Sequence, residues 1–202
     1  MRRALLIFGL PLAACTILDP RPDPSRFFTL SAVAESPDSA AASGLAVGLG
    51  PVRVPAYLDR PELATRVASS EVSFSPNERW AEPLSTSLRR VLAQNLATVL
   101  GTEDVVLFPW PAGTPIDWGV TVDVIRFERT TNGQVEVAAR WAVREKGSGR
   151  IRIARETRHA QQVSGSGTAA AVDAWNEAIA ALSGDIAGAI TSLPATRDGG
   201  SP

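Results

Sequence analysis

Cysteine and histidine are almost absent from this 202-residue chain, which contains one of each. A single cysteine, Cys15, can form no intramolecular disulfide. It also cannot build a zinc site with the lone imidazole of His159, because a zinc ion takes several protein ligands. The chain lacks the G-x-S-x-G pattern of a serine hydrolase and the Gly-Lys-Ser/Thr ending of a phosphate-binding loop. The sequence therefore predicts neither an enzyme nor a metal or cofactor site.

The remaining candidates for acid–base chemistry are two aspartates and the histidine. Asp117 and Asp123 occupy the polar side of a predicted strand and lie about 20 Å apart along it, which is too far for joint action on one proton. The sequence favours solvated carboxylates at both positions and an ordinary polar strand position for His159.

The first fourteen residues have the layout of a secretory signal: two arginines, an apolar run from Ala4 to Leu12, and two alanines. The run is much shorter than the roughly twenty residues of a membrane-spanning helix. Residues 12–15, Leu-Ala-Ala-Cys, resemble a lipobox, which predicts cleavage before Cys15 and attachment of lipid, including palmitate, to its thiol. The alternative is a plain secretory signal followed by an incidental cysteine. Lipidation is favoured because it explains a lone thiol in an exported chain.

The residues after Cys15 predict where the chain is held and how. Thr16, rather than aspartate, follows the cysteine, and by the sorting rule of Gram-negative lipoproteins this favours the outer membrane, facing the periplasm. Prolines at positions 20, 22 and 24 predict an extended tether over residues 15–25. One domain is expected over residues 26–194, with a flexible tail over 195–202. Without the signal, 18 basic and 21 acidic side chains remain, so the sequence predicts no nucleic-acid partner.

Hydrophobic periodicity predicts two long helices and a largely antiparallel sheet. One helical period runs from Pro83 to Gly101 and a second covers residues 168–193. Two-residue alternation on either side of Asn132-Gly133 predicts a hairpin, which residues 150–163 extend as a third strand. Shorter strands are predicted over residues 27–30, 45–54, 64–68, 71–74 and 105–108, the third and fourth as a hairpin. We expect one compact α/β domain with both helices packed on a mixed sheet.

The second helix contains a G-x-x-x-G at Gly184 and Gly188. Such a pattern favours helix pairing in a membrane. Because Asp173, Glu177 and Asp185 interrupt the apolar surface of this helix, we expect instead that it packs closely on the sheet.

The polar side of the three long strands alternates arginine with glutamate. One interpretation is a surface for acidic headgroups or a protein partner. The other, which we favour because both signs of charge are present, is a solvated face with cross-strand ion pairs. The residues concerned are Arg126, Arg140, Arg144, Arg150, Arg152 and Arg158, with Glu128, Glu136, Glu145 and Glu156.

Two segments carry a family resemblance. Residues 48–61 read Gly-Leu-Gly-Pro-Val-Arg-Val-Pro-Ala-Tyr-Leu-Asp-Arg-Pro, and residues 79–84 read Arg-Trp-Ala-Glu-Pro-Leu. With the lipobox and a weaker signal around residues 180–183, they make the chain similar to the ABC-type transport auxiliary lipoprotein family, which includes PqiC-like intermembrane lipid transport lipoproteins. By themselves these residues predict structural roles first: a rigid proline-bracketed turn around Tyr57 and Arg60, and an aromatic staple by Trp80 at the start of the first helix.

The resemblance implies a fold like the amino-terminal domain of TolB and a non-catalytic accessory subunit that is lipid-anchored at the outer membrane and faces the periplasm. The implied partners are an Mce-domain protein and an ABC permease and ATPase. Direct contact with phospholipid and homo-oligomerisation are left open. The alternative is a structural lipoprotein of another envelope assembly, such as a secretion or pilus complex.

Overall fold

The computed structural model describes residues 22–35 and 44–194. The predicted signal, Cys15, most of the predicted tether and the tail over 195–202 lie outside the described residues. The described residues form an eight-stranded mixed sheet with two α-helices, which confirms the predicted α/β class. In chain order the elements are β1 (Arg26–Phe28), β2 (Val47–Arg53), β3 (Glu62–Ala68), β4 (Glu71–Trp80), α1 (Leu84–Leu100), β5 (Val105–Leu107), β6 (Trp118–Thr130), β7 (Gln134–Glu145), β8 (Ile151–Gln162) and α2 (Gly167–Thr191).

Strand β6 is the centre of the sheet, and its two ends have different neighbours. On one side, β7 pairs antiparallel along nearly all of β6, and β8 pairs antiparallel with β7. On the other side, β2 pairs parallel with β6 from Trp118 to Asp123, and β3 pairs parallel with it at Arg129 and Thr130. β5 lies outside β2, whereas β4 and β1 lie outside β3. The sheet thus has a β2–β5 half and a β3–β4–β1 half.

The predicted meander and the predicted first helix are both present. Asn132-Gly133 turns β6 into β7, and the φ of 79° at Gly133 is one that an L side chain rarely adopts. α1 starts directly after Pro83 and ends before Gly101, whose left-handed conformation (φ 64°) allows the helix to end in bonds to the carbonyls of Ala97 and Thr98. These local signals therefore position the long elements correctly.

Both helices pack on one face of the sheet. Val120, Val122 and Val124 of β6 are buried in the same core cluster as the helix residues, as their alternation predicts. The aromatic rings of Trp80, Phe127 and Trp175 link β4, β6 and α2, with centroids 5.1 to 5.9 Å apart. Trp80 is 5% exposed and packs against Phe127 of β6 and Trp175 of α2, so its ring is part of the core.

A β-bulge in β6 reverses which residues face the helices. Ile125 is an extra residue between the pairs Val124–Ala139 and Arg126–Ala138. After the bulge Phe127 points into the core, and Glu128 lies on the face away from the helices. Without the bulge, the two-residue alternation from Val120 to Val124 would place Glu128 on the core face.

The chain between β1 and residue 35 is tied to both helices. The side-chain Oδ1 of Asn176 in α2 accepts a hydrogen bond from the backbone N–H of Ser31 (3.0 Å), and Oδ1 of Asn95 in α1 accepts one from Ala34 (3.1 Å). Arg90 also donates to the carbonyl of Leu30, which is itself buried. These bonds explain why two asparagines are buried in the helix layer.

The prediction about the G-x-x-x-G pattern was wrong in its detail. α2 packs on β7 and β8, but a β carbon added to Gly184 or Gly188 would meet no atom within 4 Å. The two glycines therefore do not bring the helix close to the sheet. Among the described residues, no helix has the length and apolar character needed to cross a membrane.

Candidate functional site

The residues considered for acid–base chemistry are separate and have structural partners. Oδ2 of Asp117 accepts a hydrogen bond from the backbone N–H of Ala46 (2.9 Å), and Asp123 pairs with Arg53 across β2 and β6 (2.9 Å). Nε2 of His159 lies 2.8 Å from Oδ2 of Asp185, which joins β8 to α2. Within residues 22–35 and 44–194, no group of three metal-ligating side chains occurs. These positions therefore hold the fold together.

The charged face carries cross-strand ion pairs, as the favoured interpretation predicts. Four pairs link β6, β7 and β8: Arg126–Glu136, Arg140–Glu156, Arg152–Glu145 and Arg158–Glu136. Most of these side chains are exposed, so each pair contributes little to stability.

The prediction of a solvated face is wrong at Glu128, which is buried. Its side chain is 1% exposed because the turn after β2 covers it. Arg66 of β3 binds both carboxylate oxygens, at 2.8 and 2.5 Å, and the hydroxyl of Tyr57 donates to Oε1 at 2.8 Å. Burial and the hydrogen bond to Glu128 raise the pKa of Tyr57 to about 12. This network attaches the family segment to the bulged end of β6.

The rest of the turn is attached to α1 and β4. Asp59 accepts hydrogen bonds from the backbone N–H and the hydroxyl of Ser85 in the first turn of α1, both at 3.1 Å. The guanidinium of Arg60 lies 4.0 Å from the ring centroid of Phe74 and pairs with Glu62 at 2.8 Å. Tyr57 and Arg60 therefore both have partners within the fold.

The second family segment organises the start of α1. Oε1 of Glu82 accepts hydrogen bonds from the hydroxyl of Ser87 and from Arg90, both at 2.7 Å. The bond from Arg90, followed by that from Ser87, lowers the pKa of Glu82. Since Arg90 also binds the carbonyl of Leu30, this cluster connects α1 to the segments that follow β1 and β4.

A cleft of about 540 Å³ opens on the other half of the sheet, where β2 meets the start of β6. Its walls come from β2, the loop after β5, the first residues of β6 and the turn between β7 and β8. Phe108, Trp110 and Ile116 supply the apolar surface, with Pro51 and Pro111 beside them. Phe108 is 43% exposed, so the apolar surface is open to solvent.

The glycines of the first family segment shape this cleft. A β carbon on Gly48 would lie 2.6 Å from Cζ2 of Trp110, so the indole occupies the space of the missing side chain. A β carbon on Gly50 would lie 2.8 Å from the carbonyl oxygen of Val120. The indole N–H donates to the carbonyl of Val106 (3.0 Å), which fixes the orientation of the ring.

The rim of the cleft is basic. Arg144 donates to the carbonyl of Gly149 at 3.4 Å, and Lys146 donates to the carbonyl of Thr114. The one carboxylate among the residues that line the cleft, Glu145, is held by Arg152 and by the hydroxyl of Ser148. Two cations thus border an apolar surface.

Comparison with known proteins assigns the fold to a family. The sequence profile of the family described as "ABC-type transport auxiliary lipoprotein component" matches residues 28–187. The chain belongs to this family. Its match includes both family segments, the charged face and every wall of the cleft. Auxiliary lipoproteins of this kind are accessory parts of a transport system held at a membrane of the cell envelope, a role that requires no catalysis.

Solved structures agree with the auxiliary lipoprotein fold. A structure described as an uncharacterized protein is 22% identical and has a TM-score of 0.68, covering 82% of this chain and 98% of that chain. Protein XCC0632 from Xanthomonas campestris, of the DUF330 family, is 15% identical and has a TM-score of 0.71, covering 82% and 94%. At these identities the likeness shows the fold alone. No protein of curated function matches the chain.

Sequence reasoning missed the cleft and the burial of Glu128. Trp110 lies in an irregular loop between two prolines, so no periodic pattern marks it. The available signal was Gly48, because a glycine inside a strand often marks a close approach by another group. Arg144 was noticed, but only as one of many charges on the polar face.

Proposed function

We propose that this auxiliary lipoprotein is a periplasmic subunit of an Mce/ABC-type intermembrane lipid transport system. It is anchored in the outer membrane through lipid on Cys15 and acts as a non-catalytic docking or conduit component. The observation that carries the proposal is the family match over residues 28–187. The lipobox pattern of residues 12–15 supports the anchor, since two or three acyl chains on one cysteine give stable attachment.

The placement of the first strand supports an orientation for the anchored domain. The described chain joins the sheet at Arg26 in β1, which belongs to the β3–β4–β1 half, whereas the cleft belongs to the β2–β5 half. The eleven residue-to-residue steps from Cys15 to Arg26 span at most about 40 Å when fully extended. The anchor thus limits the distance between the domain and the membrane. The cleft lies in the half of the sheet that does not contain β1, the strand that follows the tether.

Recovery of partners from membranes tests the proposal. The tagged full-length chain would be expressed in its own cells, the membranes solubilised in mild detergent, and the co-purifying proteins identified by mass spectrometry. We expect an Mce-domain protein, with a permease and an ATPase. Repeated recovery without any Mce-domain protein, or recovery of secretion or pilus components instead, would contradict the proposal.

A further inference from the structure

The strands that wall the cleft leave little open edge for a peptide strand. β2 is paired with both β5 and β6 over residues 47–49, and the first residues of β6 are paired with β2 and β7. Pro51 and Pro111 in the walls have no N–H to donate. The cleft is therefore better suited to a ligand held by side chains than to strand addition. This favours a flexible apolar chain that requires no hydrogen bonds along its length.

The size and chemistry of the cleft set further limits on its occupant. Its volume of about 540 Å³ is that of an ordinary small-ligand site, which binds mainly through apolar and aromatic surface. The edge-on contact of Phe108 with Trp110, at 5.6 Å between centroids, makes one continuous aromatic surface. Apolar contact there removes hydrophobic area from water on both partners.

The two cations at the rim favour a ligand whose polar end is negatively charged. Arg144 and Lys146 donate to main-chain oxygens, and a hydrogen bond from a cation to an anionic group is stronger than one to a neutral carbonyl. Glu145 does not offset them fully, because Arg152 shares its carboxylate. The cleft is thus complementary to a molecule with an apolar chain and a negatively charged end.

We propose that this cleft binds one acyl chain of an anionic phospholipid, with the chain against Trp110 and Phe108 and the headgroup phosphate on Arg144 and Lys146. The assignment rests on the proposed function for the source of the ligand and adds to it direct contact with lipid. The auxiliary lipoprotein would then hold part of a lipid molecule rather than only dock other subunits.

Quenching of tryptophan fluorescence by brominated lipid tests this assignment at a single residue. Trp110 is the one tryptophan that is not buried; Trp80, Trp118, Trp141 and Trp175 are each at most 5% exposed. The probe is lysophosphatidylglycerol with a brominated acyl chain, used below its micelle concentration. The protein is the full chain carrying Cys15→Ser, so that neither anchor lipid nor detergent competes. We expect saturable quenching that Trp110→Phe abolishes.

The headgroup is tested by charge. Lysophosphatidylcholine with the same brominated chain should bind about tenfold more weakly than the anionic probe. Arg144→Ser combined with Lys146→Ser should remove this difference. The control Arg158→Ser, whose side chain pairs with Glu136 at the other end of the sheet, should preserve it. Circular dichroism of each variant confirms that it is folded.

Two results overturn the assignment: quenching that persists in Trp110→Phe or is absent from the wild-type chain, and equal affinity of the wild-type chain for both headgroups. Failure here with successful recovery of an Mce-domain protein would leave the proposed function standing and remove only the lipid site. Successful quenching without recovery of an Mce-domain protein would support the lipid site and contradict the proposed function.

Discussion

The indole of Trp110 packs directly on the backbone of Gly48, where a β carbon would lie 2.6 Å from Cζ2. This contact joins the first family segment to the loop that walls the cleft. It also explains why the buried first part of β2 carries a glycine between Val47 and Leu49.

Replacing Gly48 with alanine should disturb the cleft and destabilise the fold. The indole and Ile116 must both move, since Cδ1 of Ile116 would also lie 2.9 Å from the new methyl group. Such overpacking typically costs about 1–3 kcal/mol, measurable as a fall in the free energy of unfolding in urea. Gly184→Ala is the control, because nothing lies within 4 Å of its β carbon, and it should stabilise α2 by about 0.5–1 kcal/mol. Equal stability of Gly48→Ala and wild type would disprove the contact.

The buried pair of Arg66 and Glu128 should be worth far more than the exposed pairs on the same face. Arg66→Met leaves a carboxylate that is 1% exposed without its cation, which typically costs about 3–5 kcal/mol. Arg140→Met breaks a pair whose members are 70% and 54% exposed and should cost less than about 1 kcal/mol. Urea unfolding of both variants gives the comparison. Similar losses in the two variants would show that Glu128 is not buried as described.

Tyr57 should titrate far above the usual range of a tyrosine. It is the only tyrosine, so phenolate absorbance follows this one group, whose pKa in the folded chain is raised to about 12. In the chain unfolded by urea the midpoint should return to about 10. Because the raised pKa favours the protonated folded state, its stabilising contribution is complete below pH 10 and is lost as the pH rises from about 10 to 12. Glu128→Gln should lower the folded midpoint, and an unchanged midpoint would exclude the hydrogen bond as a cause.

The two buried asparagines should differ in their effect. Asn176→Ala removes the acceptor for the N–H of Ser31 and should cost about 1–3 kcal/mol. Asn95→Ala removes the acceptor for Ala34, but it also removes a buried amide nitrogen that has no partner, so its cost should be smaller. Hydrogen exchange should quicken at Ser31 in the first variant and at Ala34 in the second. Unchanged exchange at these amides would contradict the attachment of this segment to the helices.

Local patterns in the sequence were sufficient to predict most helices and strands. They were insufficient to predict how these elements pair and pack. The helix after Pro83 and the hairpin at Asn132-Gly133 follow from periodicity and turn chemistry, which are properties of neighbouring residues. β4 continues to Trp80, beyond its predicted end at Phe74. Pro76 falls in an irregular part of the pairing between β4 and β3, so the strand tolerates a residue without an N–H there.

The features that the sequence did not predict depend on contacts between residues distant in the chain. The positions of β2 and β3 along the same edge of β6 are set by long-range pairing, which no single strand encodes. The bulge at Ile125 shifts the phase of β6 and places Glu128 on the face away from the helices, where Arg66 and Tyr57, distant in the chain, bind and bury it. The cleft was missed because Trp110 contributes to it from an irregular loop.

Attachment of the protein to the membrane through Cys15 can be measured directly in one experiment. Cells expressing the wild-type chain or Cys15→Ser would be labelled with radioactive palmitate and separated into soluble and outer-membrane fractions. We predict that the wild-type chain carries label in the outer-membrane fraction, and that Cys15→Ser is unlabelled and no longer held there, with an unchanged unfolding temperature. Equal retention of Cys15→Ser in the outer membrane would contradict the account.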